Sequence, residues 1–285
     1  MTGYSIIRYS LPLQESIIET LSTWINDVQN ARKINIEAMI DASFLSRANR
    51  NQAHLLIIHN KGNWLGVATV LDLFENGHFE VGFAITTDEI ASVFLDAVLT
   101  FCQGRNAKSI SFVIDQNAVL ETEQIVRKGA RFTICEVQMK LDNIQIEPCN
   151  DQVELRVYTK SEHRLMREIL MLSFGDSEED AEAIIQLSLT DDTRTLYGIY
   201  YKGILVGTIN LIRSAEAYVT AFAVHPKYQG KGIGRHALAN AVQNLLDEGY
   251  PYVLLDVEVE NEHALNLYKR VGFQTMHMFC FYQMD

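Results

Sequence analysis

The stretch HPKYQGKGIGRHAL (His225–Leu238) gathers three glycines and three cations, Lys227, Lys231 and Arg235, in a chain whose formal net charge is −12. Before it lies YVTAFAV (Tyr218–Val224), an aromatic and β-branched run that reads as a strand. After it, Ala237, Leu238, Ala241, Val242 and Leu245 recur at helical spacing. The glycines therefore stand at a strand-to-helix junction, where the first backbone N–H groups of the helix have no intrahelical partner. Gly230, Gly232 and Gly234 permit positive φ and close backbone approach, so successive amides can point into one concavity. The helix dipole adds a partial positive charge and the cations add whole ones, a combination suited to a pyrophosphate.

Two other phosphate-binding designs are excluded. The pattern G-x-x-x-x-G-K-[ST] is absent. A dinucleotide fingerprint is closer, because Asp256, in YVLLDVEV (252–259), falls about where a ribose-binding acid would stand. The spacing, however, is G-x-G-x-G, with Arg235 where a third glycine would be required, and five residues separate Val224 from Gly230. Fewer than 30 residues follow Asp256, too few for the remainder of a doubly wound sheet.

The chain is internally repetitive. HLLIIHNKGNWLGVATV (54–70) parallels TLYGIYYKGILVGTINL (195–211), and HFEVGFAIT (78–86) parallels AYVTAFAVH (217–225). SIIRYSLPLQES (5–16) and VELRVYTKSEHR (153–164) open the two halves alike, and Gly129 to Asp142 matches Gly272 to Asp285 at 13 residues each. In the first helix, Ile17, Ile18, Leu21, Trp24, Ile25 and Val28 share one face. Each half is expected to run strand–helix–helix, three strands, helix, strand, helix, strand: a mixed, mainly antiparallel sheet flanked by helices, α/β (α+β) in class. NIQIEPCNDQ (143–152) has linker composition, so the division is placed at 1–147 and 148–285.

Composition bounds the partners. With 48% hydrophobic and 21% charged residues the chain can bury a real core, and no apolar run reaches bilayer length. The excess of acid argues against nucleic acid or an anionic membrane as partner. The opening residues lack a basic region followed by an apolar core, so no secretory signal is expected. Cys102, Cys135, Cys149 and Cys280 lie far apart, which points to reduced thiols in a cytoplasmic protein. Neither the eight histidines nor the cysteines show ligand spacing, so no metal is expected, and FGDSEED (174–180) lacks the pattern of a serine nucleophile. Its acidic run, Asp176–Asp180, is expected to cap a helix.

FAVHPKYQGKGIGRHAL followed by VEVENEHALNLYKRVGF resembles the acetyl-CoA-binding signature of the GCN5-related N-acetyltransferases (GNAT). The family's Q/R-x-x-G-x-G/A loop is met by Gln229–Gly234, and its later element by Asn261, Ala264, Leu267, Tyr268, Gly272 and Phe273. The resemblance implies two tandem GNAT domains, like the two-domain mycothiol synthase-like acetyltransferases, with the C-terminal one catalytic. It implies that acetyl-CoA lies along a bulged strand at Phe222, Ala223 and Val224, its pyrophosphate held by Gln229, Gly230, Lys231, Gly232, Ile233, Gly234 and Arg235. A backbone N–H near Phe222 or Val224 would stabilise the oxyanion. Asn261 would hydrogen-bond the cofactor arm, Ala264 would belong to the cofactor-binding residues, and Tyr268 would protonate the leaving thiolate. In the ribosomal-protein alanine acetyltransferases of this family a carboxylate twelve residues before the tyrosine is the base; that position here is Asp256. Glu258, on the same strand face, and water are the alternatives. The expected reaction is direct attack by a primary amine, most simply of a small molecule. The alternatives are a protein N-terminus or lysine as acceptor, or a non-catalytic acyl-CoA sensor.

The first half lacks this chemistry. With Phe83–Ala84 set on Phe222–Ala223, Ile90, Ala91, Val93 and Leu95 replace Gln229 and the three glycines, and Asp88 and Glu89 stand where cations would be wanted. Ile125 replaces Tyr268 and Ala118 replaces Asn261. Residues 1–147 are therefore expected to be scaffold without cofactor.

Overall fold

The computed structural model describes residues 3–9, 11–37, 39–40, 45, 53–72, 76–142 and 152–285. The linker placed near residue 148 lies outside these residues, as does most of the segment expected to hold the second helix of the first half. The chain forms two compact units, one of residues 1–136 with 277–285 and the other of residues 137–276.

The first half runs β1 (Ser5–Tyr9), α1 (Glu15–Arg32), β2 (Ala53–Asn60), β3 (Asn63–Leu71), β4 (His78–Ile85), α2 (Ala91–Gln103), β5 (Ser109–Asp115), α3 (Val119–Arg127) and β6 (Arg131–Leu141). The second runs β7 (Val153–Val157), α4 (His163–Phe174), α5 (Glu178–Thr190), β8 (Arg194–Tyr201), β9 (Ile204–Arg213), β10 (Ala217–Val224), α6 (Ile233–Asp247), β11 (Val253–Glu258), α7 (Glu262–Val271) and β12 (Gln274–Met284). In each unit four strands form an antiparallel meander and the fifth joins parallel to the fourth.

The closing strands are exchanged. Phe279–Met284 of β12 pair antiparallel with Ile110–Asp115 of β5 in the first unit. The end of β6, from Val137 on, belongs to the second unit, where it lies beside β11. Each unit thus completes its sheet with chain from the other half of the sequence. The first unit contains a Cys135–Cys280 disulfide across a sequence separation of 145. This corrects the expectation of reduced thiols: residues distant in sequence are brought together by the exchange of strands, which no local spacing encodes. Cys102 is free and buried, and burial pushes its thiol up to about 12. No helix among the described residues is long and apolar enough to cross a membrane.

The helices form where the pattern places them. Leu21, Trp24, Ile25 and Val28 are the buried face of α1. Ser177 caps α5 by accepting from Asp180 N at 3.1 Å, and Glu178, Glu179 and Asp180 occupy its first turn, where the helix dipole favours anions. Ile233, Ala237, Leu238, Ala241, Val242 and Leu245 of α6 are buried.

The feature that positions the site is in β10. Its register with β9 shifts between Thr220 and Ala223, a bulge, and Ala221 there has φ of 46°. A non-glycine residue in the left-handed region is costly and persists only where its surroundings hold it. Thr208 does so, its hydroxyl donating to the Ala221 carbonyl at 2.9 Å. Gly207 faces Val224 across the pair, and a Cβ there would lie 2.4 Å from the Ala223 carbonyl oxygen. Gly207→Ala is therefore expected to overpack the bulge and lower stability by about 1–3 kcal/mol, read as a fall in the denaturant or thermal midpoint of the full chain.

Candidate active site

Below the bulge β10 and β11 separate. They pair only at Ala217–Val253 and Tyr218–Leu254. In the first unit, β4 and β5 stay paired from His78–Ser109 to Gly82–Val113, and β4 keeps unbroken register with β3. β10 is thus without a β11 partner from Val219 on, whereas β4 is without a β5 partner only from Phe83 on. His225 N donates to Val206 O at 2.8 Å, so the alternation of strand amides turns Val224 N–H and C=O toward that edge. Gln229 Nε2 donates to Val224 O at 2.9 Å, which ties the loop to the strand and leaves the Val224 N–H facing the opening.

The loop then turns through the 3₁₀ segment Pro226–Tyr228, capped by His225 Nδ1 accepting from Lys227 N at 3.1 Å. Gly230 and Gly232 have φ of 72° and 78°, and Gly232 is the N-cap of α6. Gly234 differs from the other two. It has no positive φ, and a Cβ would make ordinary contacts at 3.5–3.6 Å with Leu267, Phe222 and Val224. Lys227, Lys231 and Arg235 are exposed, and Lys231 Nζ donates to Lys227 O at 3.2 Å, 4.9 Å from the Tyr228 ring centre. Ile233, 2% exposed, anchors the start of the helix in the core. An open strand edge, unblocked amides at a helix start and exposed cations fit an acyl-CoA with its diphosphate.

The second motif surrounds this loop. Asn261 caps α7, its Oδ1 accepting from Ala264 N at 3.0 Å, so its NH₂ is the group that can reach a ligand. Leu267 packs on Gly234. Tyr268 is 8% exposed and sits between Phe222 and Phe273, with ring centres 6.3 and 6.1 Å away. Burial pushes its hydroxyl up to about 12, so the phenol carries its proton at neutral pH. Gly272, at φ of 118°, ends the helix by donating to Tyr268 O, and Phe273 N donates there too.

Asp256 and Glu258 are exposed on one face of β11 with Val257 buried between them. The Tyr218 hydroxyl donates to Asp256, 3.0 Å from Oδ1 and 2.9 Å from Oδ2, and Gln138 Nε2 donates to Tyr218 at 2.5 Å. Burial, then Asp180 and Glu258, raise the Asp176 carboxyl. Sequence reading missed Tyr218 and Gln138. The signal for Tyr218 was its place at the head of the strand, on the face that Asp256 shares once the parallel pairing is known. Gln138 had none, because its strand joins the unit only through the exchange.

The equivalent place in the first unit is filled by protein. Ile85, which corresponds to Val224, donates its N–H to Glu121 Oε1 at 3.0 Å, and its carbonyl accepts from Arg32 Nη1. Arg32 and Glu121 form a bidentate pair, 2.6 Å at Nη2–Oε2, with Glu121 fully buried. In the repeat alignment Glu121 stands where Ala264 does. Ile90, Ala91 and Leu95 are buried in the core instead of forming a loop, as are Ala118 and Ile125. Glu121→Ala should cost about 3–5 kcal/mol, because it strands a largely buried guanidinium; a melting experiment reads this, with acetyl-CoA affinity within about twofold of wild type.

Residues 163–273 match the acetyltransferase (GNAT) family. Mycothiol acetyltransferase of Kocuria rhizophila is 31% identical over 109 residues, 38% of this chain and 35% of that protein. N-alpha-acetyltransferase MAK3 of Arabidopsis thaliana is 33% identical over 79 residues, 26% of this chain and 42% of that protein. The chain thus spans well under two thirds of these curated relatives. Among solved structures, a GCN5-related N-acetyltransferase from Sphaerobacter thermophilus aligns with 98% of this chain and 95% of its own at TM-score 0.72 and 16% identity. A tandem GNAT protein from the clavulanic acid biosynthesis pathway aligns with 99% and 98% at TM-score 0.67 and 11% identity. At these identities the structures attest the fold, and they attest it over both halves.

Proposed function

We propose, from a second half that belongs to the acetyltransferase (GNAT) family, that this protein transfers acetyl from acetyl-CoA to a primary amine of a small molecule. The chemistry is assigned to residues 148–285, with residues 1–147 mainly as support. The observation that carries this reading is that β10 and β11 part below Tyr218–Leu254 beside a glycine loop, while the first unit closes the same place with Glu121 and Arg32. The mycothiol acetyltransferase relatives support a small-molecule acceptor. The N-alpha-acetyltransferase relatives favour a second reading, transfer to a peptide N-terminus.

Acetyl-CoA supplies an activated acyl group as a thioester. Amides at Gly230–Gly234, with Lys231 and Arg235, hold its diphosphate. The Asn261 NH₂ and the backbone near Ala264 guide the arm along Phe222–Val224, and Val224 N–H meets the negative oxygen that forms on attack. The amine must lose a proton first, which Asp256 accepts. Tyr268 delivers a proton to the departing sulfur. A phenol at about 12 is a poor donor to an ordinary thiol, but a thiolate expelled into the same apolar surroundings gains proton affinity for the same reason, as buried Cys102 illustrates.

An amine and peptide panel scored by CoA thiol release tests the reading; release with small amines supports it, and acetyl-CoA binding without release across the panel overturns it. Tyr268→Phe is expected to lower kcat on the order of 10²-fold with acetyl-CoA affinity nearly unchanged. An unaltered kcat removes Tyr268 from the mechanism. Gly232→Glu places a carboxylate on the exposed N-cap and imposes a side chain at φ of 78°; it should abolish acetyl-CoA binding in calorimetry while the far-UV spectrum stays that of a folded chain.

A further inference from the structure

Resting on the reading of Asp256 as proton acceptor, we propose that Gln138, a residue of the first half of the sequence, is a positioning residue of the acetyltransferase site. It turns the Tyr218 hydroxyl so that the phenolic O–H points at Asp256.

The direction of this chain of hydrogen bonds follows from the chemistry of its members. An ionised carboxylate only accepts, so the single Tyr218 proton goes to Asp256. The lone pairs of Tyr218 then need a donor, and the Gln138 amide nitrogen is 2.5 Å away. The sequence amide to phenol to carboxylate spans three strands, β6, β10 and β11, and all three residues lie within the second unit. It fixes the carboxylate through both oxygens, at 3.0 and 2.9 Å.

Charged groups stand on or beside the elements that carry this chain of hydrogen bonds. On β11 the next residue of the same face is Glu258. Ahead of β10 stands Glu216, accepting from the Tyr252 hydroxyl at 2.6 Å. From the connection between α4 and α5 comes Asp176, whose carboxyl is raised by burial and then by Asp180 and Glu258. On β6 the cation is Lys140, 4.2 Å from the Tyr252 ring centre and 3.5 Å from Asp142. A hydrogen bond to the charged form of a carboxylate lowers its proton affinity. Gln138, by holding Tyr218 in place as donor, keeps Asp256 ionised to lower pH. Tyr218 itself stays protonated, its phenol pushed well up by burial and by Asp256. The first half of the sequence therefore contributes to the acceptor side of the reaction through one exchanged strand.

The test uses the full chain and two readouts. In ¹³C-carboxyl NMR, with Asp256→Asn supplying the assignment, Tyr218→Phe removes the donor and Gln138→Glu replaces an amide donor by a competitor for the phenolic proton. Both are expected to move the Asp256 midpoint upward by on the order of one pH unit, with Gln138→Met moving it less. The acid limb of kcat/KM for CoA thiol release should move the same way, with acetyl-CoA affinity retained. A Gln138→Glu protein that is folded by circular dichroism but titrates like wild type overturns the proposal. A midpoint that moves while the pH–rate profile does not overturns the catalytic link. If no acceptor is ever turned over, the function proposed above fails, and the titration still decides whether Gln138 governs Asp256.

Discussion

Everything at this site follows from one distortion of one strand. The bulge between Thr220 and Ala223 carries Ala221 into the left-handed region and takes β10 away from β11. The unbulged β4 carries its parallel ladder through five residue pairs, against two for β10. The distortion is held by the Thr208 hydroxyl on the Ala221 carbonyl and is possible because Gly207 presents no Cβ to the Ala223 oxygen. Strain here serves a purpose, because it leaves backbone hydrogen-bonding groups unspent beside a loop that is already rich in them.

The two halves show what happens when the same chain path lacks that distortion. β4 stays in register with β3 to Ile85 and with β5 to Gly82, and the polar groups at its end, the Ile85 N–H and C=O, are satisfied by Glu121 and Arg32. Buried backbone groups must be paired, so a closed site requires internal partners where an open one awaits a ligand. In the first unit the residues aligned with the glycine loop start a helix packed into the core, and the Ile85 backbone beside it is sealed by the Arg32–Glu121 pair.

The exchange of closing strands complicates any division of labour between the halves. β6 leaves the first unit at Val137 and β12 leaves the second at His277. Through this exchange Gln138 reaches Tyr218, and Cys280 reaches Cys135. A cut at the linker would therefore remove a strand from each of the two units. The first half of the sequence thereby supplies Gln138, which donates to the Tyr218 hydroxyl of the second unit.

What could be read from the chain alone was what local rules encode. Gly230 and Gly232 announce a turn that other residues resist, the spacing from Ala237 to Leu245 announces a helix face, and Leu267, Tyr268, Gly272 and Phe273 announce a helix packed on that loop and stopped by glycine. The repeat, and with it the fold of both halves, was legible for the same reason. The tertiary structure alone decided the bulge, because alanine at 221 gives no sign of positive φ, and the Arg32–Glu121 seal, whose members are 89 residues apart. It alone decided the strand exchange, because β6 and β12 are both ordinary alternating strands. Local conformation is a property of a few neighbouring residues, whereas which strand edges meet depends on the free energy of closing the whole chain.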